Sequence, residues 1–142
     1  MPTITQIATT IDELVQHELE HPFEMDARLY ATDPDGAWLI GESDNPYDLL
    51  VGDSSVARPR SLTAIGFVCT GWAAPLANSE SVAPSQHPER IRVRITVAYN
   101  GSEWTTVMRK EGDSQPEVMD DQGTGALADA IESWWQDAEV IF

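Results

Sequence analysis

From Arg90 to Val97 the chain runs Arg-Ile-Arg-Val-Arg-Ile-Thr-Val, a strict two-residue period. That period belongs to a β-strand, whose successive side chains point to opposite faces. Arg90, Arg92 and Arg94 therefore share one face, and Ile91, Val93, Ile95 and Val97 share the other. Asn100-Gly101 is the preferred two-residue hairpin turn, so residues 90–99 and 103–110 are predicted to pair. With a two-residue turn, Thr96 faces Thr105, Arg94 faces Val107 and Arg92 faces Arg109. On the apolar side Val97 meets Trp104 and Val93 meets Met108. Like charges directly opposite destabilise a sheet, so Arg92 and Arg109 need an acid, an anion or a partner beside them.

The rest of the chain must cover both faces of that hairpin. Residues 5–20 carry Ile7, Ile11, Leu14, Val15 and Leu19 at helical spacing, with Thr10 and Asp12 as candidate caps and Pro22 as the stop. Residues 27–32 and 37–41 flank Asp33-Pro34-Asp35-Gly36, a strong turn sequence, and are predicted as a second hairpin. A polar irregular stretch at 43–60 includes one predicted helical turn at 46–51, and an apolar strand follows at 61–72. The loop 73–89 holds Pro75, Pro84 and Pro88 and is long for a compact domain. After an acidic loop at 111–122, residues 125–138 place Leu127, Ile131, Trp134, Trp135 and Ala138 on one helical stripe. The expected fold is α+β: residues 1–142 as a single domain, with one antiparallel sheet of about five strands carrying the N- and C-terminal helices. That element order resembles roadblock, longin and profilin-like architectures, whose members are mostly scaffolds and adaptors.

Charge limits the partners. The chain has 24 acidic and 8 basic residues, a net charge of −16, and Lys110 is its only lysine. Such a field repels nucleic acid and anionic membranes. Salt adaptation, a basic partner and imitation of a phosphate backbone would each produce it. Cys69 is the single cysteine, so no intrachain disulfide forms, and its apolar neighbours Ala64 to Val68 suggest a buried small hydrophobe. No apolar stretch approaches membrane-spanning length, and the N-terminal residues lack the pattern of a signal peptide, so a cytoplasmic location is expected.

Three motifs carry chemistry. His17-Glu18-Leu19-Glu20-His21 matches H-E-x-x-H. On a helix, His17 and His21 could hold zinc while Glu18 activates a water. Pro22, the charged Glu20 and the lack of a later third ligand favour instead a polar helix end. The arginine face gathers Arg90, Arg92, Arg94 and Arg109, four of the seven arginines. Pairing with the chain's own acids is the simpler expectation; an anionic ligand or partner is the alternative. Gly123-Thr124-Gly125-Ala126-Leu127-Ala128 fits G-x-G-x-x-A loosely. The acids just before it oppose a pyrophosphate, and a turn capped by Thr124 is the better reading.

Gly71-Trp72-Ala73-Ala74-Pro75, then His87-Pro88-Glu89-Arg90-Ile91-Arg92-Val93-Arg94, and later Gly125-Ala126-Leu127-Ala128-Asp129-Ala130 resemble a pattern in uncharacterised actinobacterial proteins. The likeness covers roughly the C-terminal half. It implies a bacterial or phage protein and joins loop 73–89 to the arginine strand, with His87 beside the arginines. The expected function is a non-enzymatic protein-interaction or regulatory module without a cofactor, with a homo-oligomer left open. The alternatives are a zinc-dependent hydrolase at His17, Glu18 and His21, and an acidic inhibitor that mimics nucleic acid.

Overall fold

A computed structural model describes residues 3–51, 56–59, 62–73, 90–112, 115–119, 126–137 and 140–141. In chain order the elements are α1 (Ile4–Glu18), β1 (Ala27–Asp33), β2 (Gly36–Ser43), a 3-10 turn (Pro46–Leu49), β3 (Arg58–Pro59), β4 (Ala64–Ala73), β5 (Ile91–Tyr99), β6 (Trp104–Lys110), β7 (Glu117–Met119), α2 (Ala126–Asp137) and β8 (Val140–Ile141). Among the described residues the six long and short strands β2-β1-β4-β5-β6-β7 form one antiparallel sheet in that order. The chain is thus α+β with an antiparallel sheet and a helix at each end. The strand count exceeds the expected five because Glu117–Met119, inside the predicted acidic loop, adds a three-residue edge strand beside β6. Strands β3 and β8 form a separate parallel pair.

The helices lie on opposite faces, which follows from strand alternation. Leu29, Ile65, Phe67, Val97 and Tyr99 point to one side and pack with Ala130, Ile131 and Trp134 of α2, together with Leu49 and Leu50. Tyr30, Ala64, Val68, Ala98 and Val107 point to the other and pack against Ile4, Ala8, Ile11 and Val15 of α1. Among the described residues no helix is long and apolar enough to cross a membrane.

The start of α1 differs from expectation. Thr3, not Thr10 or Asp12, is the N-cap: its hydroxyl accepts from Gln6 N at 3.1 Å, and Gln6 Oε1 accepts from Thr3 N at 2.8 Å. This reciprocal capping box satisfies two backbone donors at once. Asp12 is instead fully buried on the helix face that meets the sheet.

The first hairpin forms as expected. Asp33 Oδ1 accepts from Asp35 N at 2.8 Å and Gly36 N at 3.1 Å, which closes the turn. The second hairpin forms with a different register. Its loop is the four residues Asn100–Glu103, because Asn100 Oδ1 accepts from Ser102 N at 3.0 Å and Glu103 N at 2.7 Å. Tyr99 therefore pairs with Trp104, their rings stacked at 4.0 Å, and Arg94 lies opposite Arg109. Thr96 faces Val107, Val97 faces Thr106 and Val93 faces Lys110. The slip is two residues, a whole strand period, so every side chain keeps its predicted face while its partner changes.

Helix and sheet approach closely at Gly66, where a Cβ would collide with Ile11 Cδ1. Gly71 of the same strand has open space at that point. Gly66→Ala is expected to destabilise the domain by roughly 1–3 kcal/mol through overpacking, with Gly71→Ala near neutral, measured by denaturant unfolding.

Candidate functional site

The arginine face divides into two parts. Arg94 and Arg109, directly opposed on β5 and β6, both lie under α1, which carries Asp12 between them. Asp12 Oδ1 accepts from Arg94 Nη2 at 2.7 Å. Asp12 Oδ2 accepts from Arg109 Nη2 at 2.7 Å and from Arg109 Nε at 3.0 Å. One carboxylate thus bridges two guanidiniums, and all three side chains are buried. Arg94 is held further by Gln16 Oε1 at 2.9 Å, Pro22 O at 3.2 Å and Asp12 O at 3.2 Å, and its guanidinium sits 5.1 Å from the Phe23 ring. Desolvation lowers the pKa of Arg94, and Arg109 adds to that, while the hydrogen bond and charge of Asp12 oppose it. The chemistry of this group is consumed in holding α1 to the sheet.

Arg90 and Arg92 lie beyond the helix. Both guanidiniums sit over Trp72 of β4, at 4.8 Å and 4.5 Å from its ring centroid. Arg92 Nη1 also donates to Phe23 O at 3.0 Å. A cation over an indole face gains electrostatic attraction, so Trp72 organises this end of the strand. His87 lies outside the described residues, as does the Gly123–Gly125 motif.

The H-E-x-x-H segment is split by the end of α1. The helix stops at Glu18, and Leu19 is already extended at φ −99° and ψ 138°. His17 is exposed in the last helical turn; His21 is exposed in the loop after it. The two histidines therefore do not share a helical face, contrary to a helix over 5–20. Glu18 lies 3.7 Å from Arg28. Among the described residues no group of three or more His, Cys, Asp or Glu could hold a metal ion. Cys69 packs at the margin of the core below α2, and burial pushes its thiol up to about 11. At neutral pH it is therefore the thiol and a poor nucleophile.

The remaining feature is the open side of the sheet at β2. This eight-residue strand has β1 on one side and no strand on the other among the described residues. Trp38 and Leu39 are 39 % and 42 % exposed, on opposite faces of the strand. Between β2 and α1 runs a groove of about 360 Å³ lined by Leu14, Leu19, Tyr30, Ala37, Trp38 and Leu39, with Glu18 and Arg28 at its edge. Arg28 Nη1 donates to the Tyr30 hydroxyl at 2.9 Å and Arg28 Nε to Glu42 Oε2 at 2.8 Å, which fixes the polar wall. Sequence reasoning missed both this edge and Asp12. Asp12 had a signal, since it sits within the buried stripe of Ile4, Ala8, Ile11 and Val15. The β2 edge had none, because strand order is not written in a local pattern.

Asp12→Ala is expected to destabilise the domain by roughly 3–5 kcal/mol, since two buried guanidiniums lose their anion. Replacing all three members, Asp12→Ala with Arg94→Met and Arg109→Met, should recover most of that loss in denaturant unfolding, as an apolar replacement leaves no buried charge. A scan of family models and searches of curated proteins and of solved structures find no match to this chain.

Proposed function

We propose that this chain is a non-enzymatic protein-interaction module that takes up an extended, basic segment of a partner protein along β2. The observation that carries the reading is the unpartnered β2 edge, flanked by exposed Trp38 and Leu39 and by the groove against α1. An open edge offers backbone donors and acceptors to an added strand, and side pockets beside it select alternate side chains. The Leu14, Leu19 and Leu39 surfaces suit apolar side chains at every second position of such a segment.

Charge supports a basic partner. The net charge of −16 favours encounter with a cationic segment and opposes pairing with a second copy. Exposed acids occupy both sides of the molecule, with Glu13 on α1 and Asp129 and Glu132 on α2. That dispersal suits long-range attraction and fits poorly with imitation of one phosphate-lined surface. The site lies on a helix and a strand, α1 and β2.

The test is selection of extended peptides from a displayed library, followed by mapping of the winners by amide exchange. Enriched peptides should alternate apolar residues with Lys or Arg, protect amides of residues 36–43, and bind more weakly as salt rises. Leu39→Lys should weaken them at least tenfold without loss of stability. Peptides that map away from β2, or sedimentation showing that β2 is covered in a dimer, would contradict the reading.

A further inference from the structure

A second cavity of about 360 Å³ opens at the start of α1, where the turns of both hairpins converge. Its apolar side is the buried Ile4 and Ile11 with the half-buried Ile7 between them, all on α1. Its polar side carries Asp33 and Asp35 from the first turn and Glu103 from the second. Among the described residues no Lys, Arg or His lines it. The volume lies at the lower end of the range typical of small-molecule sites, about 300–1,000 Å³.

Two of the three carboxylates are held in place. Asp33 Oδ1 is fixed by Asp35 N and Gly36 N, and Glu103 Oε1 by Asn100 Nδ2 at 3.1 Å. The loop that brings Glu103 here is the four-residue form set by Asn100, so the unexpected register creates this wall. Three acids without a lining base repel anions. Three isoleucines give nothing to a hydrated metal ion, which needs converging oxygens. What satisfies both walls is an organic cation: an apolar body against the isoleucines and an ammonium at the carboxylates.

We propose that this cavity binds a primary ammonium carrying an apolar body of about the size of a phenylethyl group. The site is separate from the β2 reading and does not rest on it, although both surfaces touch Ala37. The ammonium could come from a free amine or from a peptide N-terminus that begins with an apolar residue, and the same chemistry would recognise either.

Amide NMR titration with 2-phenylethylamine and with a short peptide beginning with Phe tests this, each beside its N-acetylated form. Shifts at Ile7, Thr10, Asp35 and Asn100 with the ammonium form, and binding at least tenfold weaker with the acetylated form, are expected for at least one pair. Which pair responds names the source. Asp35→Asn with Glu103→Gln should weaken binding roughly threefold to tenfold, as exposed charge pairs contribute modestly. Unchanged unfolding of that variant would show that the fold is intact, and Leu39→Lys should leave amine binding as it was. Equal binding of acetylated forms, shifts confined to other surfaces, or no binding at millimolar concentration would overturn the proposal.

Discussion

Two guanidiniums stand opposite each other in the middle of the sheet, and one buried carboxylate makes that tolerable. Asp12 divides its two oxygens between Arg94 and Arg109; Arg94 Nη1 donates to Gln16 Oε1 and to the Pro22 carbonyl, while Arg94 Nε is buried without a hydrogen-bond partner among the described residues. Without α1 the β5–β6 hairpin would carry an exposed like-charge pair. Without the arginines α1 would carry a buried acid facing apolar strands. Each element supplies what the other lacks, so the arrangement specifies one seating of helix on sheet. Pairs of this kind stabilise little overall compared with apolar packing, but breaking one member is costly.

That seating shapes the surface. Asp12 draws α1 over β4, β5 and β6, the strands it packs on most. The β1–β2 end of the same face is left thinly covered, and the groove lined by Leu14, Leu19 and Leu39 lies there. The first turns of α1 are likewise held above the converging hairpin turns, where the cavity with Asp33, Asp35 and Glu103 opens. Both candidate surfaces are consequences of where the helix is pinned. The overall negative charge and the local arginine strand are then separate matters. The acids lie largely on the outside, while the cationic strand is occupied by Asp12 at one end and Trp72 at the other.

The elements were legible in the sequence because strand and helix periods survive any register. The Arg90–Val97 alternation put Arg94 and Val97 on their observed faces even though the expected cross-strand partners were displaced by two residues. The displacement came from the Asn100 side chain, whose carbonyl closes a four-residue loop that Asn-Gly alone does not announce. Asp12 was misread as a cap because an acid near a helix start usually is one, and its true partners lie more than eighty residues away. The three-residue strand Glu117–Met119 has too little pattern to be seen locally. The H-E-x-x-H motif depended on a helix that reaches His21, whereas α1 stops at Glu18 and Leu19 is already extended.

The central claim is that one carboxylate fixes both guanidiniums. Guanidinium NMR of arginine side chains tests it most directly. Arg94 and Arg109 should show resolved, slowly exchanging Nη protons that collapse toward free-arginine behaviour in Asp12→Asn, while Arg90 remains unchanged. Averaged, rapidly exchanging signals for Arg94 and Arg109 in the unmodified protein would contradict it.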